Sequence, residues 1–485
     1  MRVPTRLFRV LFFWLPLMGK FLRVLSGQAS GGLGSTLEKT SSYWTALSHF
    51  RQNLVIGIII AVAIHFAHDT SYVRDTEDWA MDWLNRLQAD TAALSSEEDR
   101  QGDAYVFLDM DEESYHSWKE PYHFPRDKLQ KLVEYASSAN AKQIVVDVDL
   151  SRPGIDPKAA DELKQFLKKY PETAPQLILM RGLQESSLDK TGLPHFRDAY
   201  TGNLKEHNNI TWAQPLFSKD IIDGRIRRWR LIEAVCAEEK PAWYPSPQIV
   251  SLSLTSGMDW RAIEKEINAF LPDDCRTPVS KESVDALKLK IGNHSVDLGA
   301  KGFHQRVIYS YSNKHKLGSA EIGYQRIPAH IITEANTQPS YEPVANKIVV
   351  IGASHQDGRD THQTPVGSMP GALIVLNAVK SLKQFGQLDS IPLWIKILLE
   401  AITITLMAYL FQRFNSLTAV FVIGVTIMVL LAPFSFYFFR YGVWVDLAAP
   451  ILAMQFHFAV EDYVDAIKTR SELNKLKARM KENNQ

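Results

Sequence analysis

Cysteine is nearly absent from this chain. Its 485 residues hold two, Cys236 and Cys275, too few for a disulfide-dense scaffold, and no histidine stands at ligand spacing from either, which leaves a metal site without support. From sequence alone the pair is either a disulfide or two separate thiols. A surplus of one charge is missing as well. Lys and Arg number 54 against 54 Asp and Glu, for a formal net charge of zero, so the basic footprint of a nucleic-acid-binding chain is not there. Also missing are a phosphate-binding loop, a nucleophile elbow, a metalloprotease helix motif and paired CxxC motifs. Ser354 and His355 are neighbours on one loop with no third group to orient them, which is not a hydrolytic dyad. His304 and His362 read as hydrogen-bonding surface histidines. No catalytic residue, metal or cofactor is expected, and the chain is not expected to be an enzyme.

What is abundant is apolar sequence in long runs. Pro392 to Leu410, Leu417 to Phe439 and Val443 to Val460 are almost continuously hydrophobic, each close to the length a helix needs to cross a bilayer core of about 30 Å. Lys396 and Glu400, four apart on one helical face, can neutralise each other. Asp446 and His457 are expected near helix ends or facing the bundle interior. An earlier run, Leu54 to Ala67, is shorter and contains His65. Arg51 and Gln52 precede it and Tyr43 and Trp44 lie upstream as interfacial anchors, which favours an uncleaved signal anchor.

Charge sets the orientation. Residues 1–53 carry seven Lys or Arg against one acid, Glu38, and the positive-inside rule places such a segment in the cytoplasm. Four spans then put residues 68–390 outside and return residues 461–485 to the cytoplasm. Arg413 agrees with this arrangement and Arg440 opposes it. Within the first 26 residues, Arg2, Arg6, Arg9, Lys20 and Arg23 form a stripe against Leu7, Leu11, Trp14 and Phe21. That pattern suits a helix lying on the anionic inner leaflet, the alternative being a signal peptide with its apolar core at Val10 to Met18. Ser26 to Ser35 is a Gly/Ser-rich linker.

The polar region between the early and late runs alternates strand and helix. Tyr105 to Leu108 and Ile144 to Val148 are apolar strands, separated by Arg126 to Ser137, where Leu129, Leu132, Val133 and Ala136 recur at helical spacing. A helix at Pro157 to Lys169, a strand at Gln176 to Met180, a strand at Lys347 to Ile351 and a helix at Gly371 to Phe385 continue the alternation. The fold class is α/β, with a mainly parallel or mixed sheet flanked by helices, plus an α-helical transmembrane bundle. Ile221 to Val235 and Gln305 to Tyr311 are expected to be hairpin material at a mixed sheet edge.

Acids gather where these strands end. Asp109 and Asp111, like Asp147 and Asp149, are two apart and present their carboxylates on one strand face, near the edge where open α/β sheets bind ligands. Asp357 and Asp360 occupy the loop after a third strand. One reading makes these six, positioned by Arg126, a site for a polar or cationic ligand. The other makes them helix caps and loop anchors, paired with Arg126 or Arg359.

Taken in order, Phe107 to Ser114 (FLDMDEES), Phe124-Pro-Arg126, Ile144 to Asp149 (IVVDVD), Val349 to Ala353 (VVIGA), Asp360, Thr364 to Gly367 (TPVG) and Pro370-Gly371 resemble the type-two CHASE domain. The resemblance covers roughly residues 78–390 and the trailing spans. It implies an extracytoplasmic sensory module of a bacterial membrane receptor, followed by three transmembrane helices and a cytoplasmic output domain. Two features depart from the pattern. Trp118 to Arg126 (WKEPYHFPR) is longer and more polar than the compact stretch of the family. Residues 461–485 are too short to fold as an output domain. Leu473, Leu476 and Met480 follow a 3-4 spacing there, suited to the start of a coiled coil or a docking helix.

The expected protein is therefore an inner-membrane sensor whose periplasmic domain binds a small ligand or a protein and signals to a separate cytoplasmic partner. The alternative is a structural scaffold subunit of a membrane complex. Expected partners are the lipid bilayer, a second copy of the chain or other complex subunits, and that output protein or a periplasmic protein; nucleic acid is not among them.

Overall fold

Strands form where apolar residues run uninterrupted, and those runs lie at the centre of the larger of two units seen in the computed structural model. The structure describes residues 47–67, 70–92, 105–152, 154–184, 192–196, 208–313, 324–334 and 340–482. The larger unit comprises Asp82–Asp389, and the smaller joins the residues up to Met81 to those from Ser390. The surface helix and linker expected within residues 1–35 lie outside the described residues.

In chain order the framing elements are α1 (His49–Phe66), α2 (Ser71–Ala92), β1 (Tyr105–Met110), α3 (Glu112–Ser117), α4 (Arg126–Ser138), β2 (Gln143–Asp149), α5 (Pro157–Lys168), β3 (Gln176–Met180), β4 (Ile210–Ala213), β5 (Ile226–Trp229), β6 (Ile232–Ala237), β7 (Lys240–Pro245), α6 (Pro247–Thr255), β8 (Tyr324–Pro328), β9 (Ile348–Ala353), α7 (Gly371–Phe385), α8 (Leu393–Arg413), α9 (Ser416–Phe439) and α10 (Ala448–Glu482).

In the larger unit a six-stranded sheet runs β8–β1–β9–β2–β3–β4, and every pairing in it is parallel. Parallel strands need covered faces, and the alternation of side chains supplies two apolar surfaces. Val106, Leu108, Ile144, Val146, Val349 and Ile351 pack with Leu129 and Leu132 of α4 and Leu163 and Leu167 of α5. Phe107, Val145, Ile178, Ile348 and Val350 pack on the other side with Ile249 of α6 and Leu373 and Leu376 of α7. Helix α7 is apolar nearly all round, and ten of its residues are buried. Its one buried amide, Asn377, accepts from the backbone N–H groups of Ser310 (3.0 Å) and Tyr311 (2.9 Å) and donates to the Tyr311 carbonyl (3.2 Å).

The expected mixed edge is not present in this sheet. Antiparallel pairing is confined to separate small sheets, in which β5 pairs with Phe217–Lys219 and β6 with β7. Gln305 to Tyr311 forms no hairpin strand. Its backbone groups are taken up singly, by a bridge from Arg306 to Arg228 and by Asn85, Ser381 and Asn377. Cys236 of β6 is joined to Cys275 by a disulfide, with Cα atoms 5.4 Å apart.

The part of α2 inside this unit is held by charge. Asp82 is 2% exposed and receives Arg227 Nη2 (2.8 Å), Arg225 Nη1 (3.1 Å) and Arg306 Nη1 (3.4 Å). Arg227 also grips Asp223 with two hydrogen bonds of 2.8 and 2.6 Å. Two of the three arginines are buried, and charges at such depth are tolerated only when paired.

In the smaller unit, α1, α8 and α9 are the three described helices long and apolar enough to cross a membrane, by length and composition. Ile56, Ile60 and Ile64 of α1 pack with Met407, Leu410 and Phe411 of α8 and with Ala419 and Ile423 of α9. Within α9, Ile427–Leu431 is a π-helical turn placed just before Pro433, which has no N–H to give the preceding turn. The last apolar run departs from the expected helix over Val443 to Val460. Val443–Trp444 is extended, and the helix begins at Ala448 because Asp446 caps it, accepting from the N–H groups of Ala448 (2.8 Å) and Ala449 (3.2 Å). It continues to Glu482. His65, Lys396, Glu400 and Asp446 line one pocket of this unit, of about 90 Å³. His457 stacks on Phe411 at 4.4 Å.

Candidate functional site

Each strand that ends in an acid delivers it to the same edge of the parallel sheet, and each acid then meets a different fate. Asp109 sits at the end of β1 with no solvent exposure. Its Oδ2 accepts from Arg326 Nε (2.5 Å) and from the Ser354 hydroxyl (2.7 Å), and Arg326 Nη2 also pairs with it. Burial pushes the Asp109 carboxyl up to about 6 against the opposing pull of Arg326 and Ser354. Ser354 is therefore committed to a carboxylate and an arginine rather than to its neighbour His355. That histidine faces the Met110 carbonyl (Nδ1 to O, 3.2 Å) and stacks on Tyr115 at 4.4 Å.

Asp111 is the N-cap of α3. It accepts from the Ser114 N–H (2.9 Å) and hydroxyl (2.7 Å), and the same hydroxyl accepts from the His330 N–H (3.1 Å). Asp357 takes the Tyr115 hydroxyl. Arg126, 5% exposed, opens α4 and donates through Nη2 to the carbonyls of Asp149 (3.2 Å) and Arg152 (2.8 Å). Gly154, at φ +94°, lies against its side chain. These three residues and Asp109 thus hold loops and helix starts to the sheet edge, each through its own partners.

Asp147, Asp149 and Asp360 have a different setting. They line one cleft of about 440 Å³ with Met110, Tyr122, His123, His355 and Gln214. Asp149 also closes its own loop, accepting from the Ser151 N–H (2.8 Å) and hydroxyl (2.5 Å) and from the Gly182 N–H (3.3 Å). Asp360 receives His362 Nε2 at 3.0 Å, and its carbonyl accepts from the Gly371 N–H (2.8 Å) at the start of α7. A side chain at Gly371 would overlap the Asp360 carboxylate, so glycine is what permits this approach. Burial, and then the charge of the neighbouring Asp360, push the Asp147 carboxyl up to about 8. At neutral pH Asp147 therefore holds its proton for much of the time and can donate a hydrogen bond.

The rest of the cleft wall was not legible as a site. Pro121, Tyr122, His123 and Phe124 belong to the stretch that departs from the family pattern, and they form one side of the cleft. Tyr122 is 85% exposed, and Lys119 and Glu120 turn the chain ahead of it with φ of 63° and 55°. Two consecutive positive-φ residues without glycine give no sequence signal. His304 lies elsewhere, Nδ1 2.7 Å from the Leu388 carbonyl. Among the described residues no group of three or more His, Cys, Asp or Glu is arranged to hold a metal ion.

A family model described as CHASE2 domain matches residues 55–411, nearly three quarters of the chain. No curated protein and no solved structure matches it.

Proposed function

Because the chain belongs to the CHASE2 domain family of extracytoplasmic sensory modules, we propose that it is a sensor of the bacterial inner membrane whose periplasmic domain binds a small organic cation in the cleft at the carboxyl edge of its parallel sheet. The basic residues 1–53 stay in the cytoplasm, α1, α8 and α9 cross the bilayer, and the run ending at Val460 makes the fourth crossing. Occupancy biases the conformational equilibrium of the domain and is passed through the helices to a separate cytoplasmic output protein. The role is recognition without turnover.

The observation that carries this reading is the composition of the cleft, whose lining includes Asp147, Asp149 and Asp360 together with the exposed Tyr122. Carboxylates accept hydrogen bonds from an ammonium group, and an aromatic face attracts a cation within about 6 Å of its centroid. Open α/β sheets take ligands at this edge.

Titration calorimetry on the full-length protein in nanodiscs, with lysine, putrescine and choline as probes, tests the reading. At least one probe is expected to bind, with affinity lost on substituting Asp147→Asn together with Asp360→Asn. Binding by none of them, or binding indifferent to the double substitution, rejects a cation site in this cleft.

A further inference from the structure

Helix α10 does not stop with its apolar run. It continues to Glu482 as one helix, about 33 Å beyond Val460 at 1.5 Å per residue. Along that extension Leu473, Leu476 and Met480 are 51%, 56% and 65% exposed. Their 3-4 spacing is that of alternate core positions in a heptad. With Leu473 as the first core position, the register places Ala466, Leu473 and Met480 at one set of core positions and Thr469 and Leu476 at the other.

The flanking positions then name the partner. In a parallel two-stranded coil, the residue just before each first core position faces the residue five places further on in the partner helix. This register puts Asp465 opposite Arg470 and Glu472 opposite Lys477. Both pairs are complementary, and each occurs twice when the two helices are identical. An antiparallel pairing would instead set Arg470 and Lys477 against their own kind. Two copies inserted the same way in one membrane have tails that point the same way, so the charges select the only direction the membrane permits.

We propose that residues 465–482 form a parallel two-stranded coiled coil with a second copy of this chain. The coil has little more than two heptads, a length that is marginal for free helices in water. Here the helix is already started within α10, and confinement to one membrane raises the effective concentration of the tails toward the millimolar range. The proposal rests on membrane insertion but not on the ligand or the cleft.

Single-thiol crosslinking of the full chain in native membranes tests it. The two natural cysteines are joined to each other, so an introduced cysteine is the free thiol. Under mild oxidation Leu476→Cys and Leu473→Cys are expected to give disulfide-linked dimers, several-fold more than Ala478→Cys on the outer face. Glu472→Lys should reduce the dimer yield from Leu473→Cys, and adding Lys477→Glu should restore it. Equal yields at all three positions, no dimer from either core position, an adduct with a different protein in place of the dimer, or indifference to the charge exchange each overturn the proposal. Alkaline extraction of the same membranes checks insertion separately: a chain that washes off contradicts the spans, whereas a retained chain that does not dimerise contradicts the coil alone.

Discussion

Asp147 is the residue at which structure, titration and ligand chemistry meet. Its carboxyl is held above its ordinary range, first by burial and then by the charge of Asp360. A carboxyl whose pKa is raised on folding binds its proton more tightly in the folded state, so its contribution to stability is complete at acid pH and is lost as pH rises through the raised value. Asp147→Asn removes that penalty. The melting temperature of the variant relative to the natural protein is expected to be lowest below pH 3.8, to rise as pH increases to about 8, and to level off above that. Asp82 predicts the opposite kind of effect. Asp82→Asn leaves Arg225, Arg227 and Arg306 facing each other without their shared carboxylate. A loss of about 3 kcal/mol or more is expected, read as a lowered denaturation midpoint in urea. Neither Arg326 as the partner of Asp109 nor the arginines around Asp82 could be read from sequence. Their partners lie 217 residues away for Asp109 and 145 and 224 residues away for Asp82, and a local pattern carries no information across such separations.

Among elements, the parallel strands were legible because burial on both faces leaves an unbroken apolar run, as in Tyr105 to Leu108 and Ile144 to Val146. Helix α4 was legible because one face is buried and its apolar residues keep a 3.6-residue period. What failed had a competing local cause. The start of α10 moved because Asp446 offers a better cap than any residue near Val443. Gln305 to Tyr311 alternates like a strand, yet its backbone is satisfied by Asn85, Ser381 and Asn377 instead of a neighbouring strand. Asn377 therefore predicts a large element-level effect. Asn377→Leu keeps the helix but strands the N–H groups of Ser310 and Tyr311 in the core, for a cost of about 2–4 kcal/mol. The disulfide closes a separation of 39 residues, for which loop entropy gives about 4 kcal/mol. Adding reductant is expected to lower the unfolding temperature of the natural protein and to leave a Cys236→Ser, Cys275→Ser double variant unchanged.

For the whole molecule, a chain of the CHASE2 domain family carries a cleft lined by Asp147, Asp149, Asp360 and Tyr122 at the edge of its parallel sheet. The motifs that identify the family form the sheet edge, while the segment that departs from them, Pro121 to Phe124, supplies one wall of the cleft. Under the proposed function, Asp147, Asp149 and Asp360 of those motifs supply the carboxylates and the departing segment supplies the ring of Tyr122. The most direct test is hydrogen exchange on the full-length chain in nanodiscs, with and without a cation that binds by calorimetry. Slowed exchange is predicted across residues 121–124, 147–149 and 353–360, with residues 82–92 and 225–229 unchanged. Protection confined to segments outside the cleft, or no protection at all, would contradict the account.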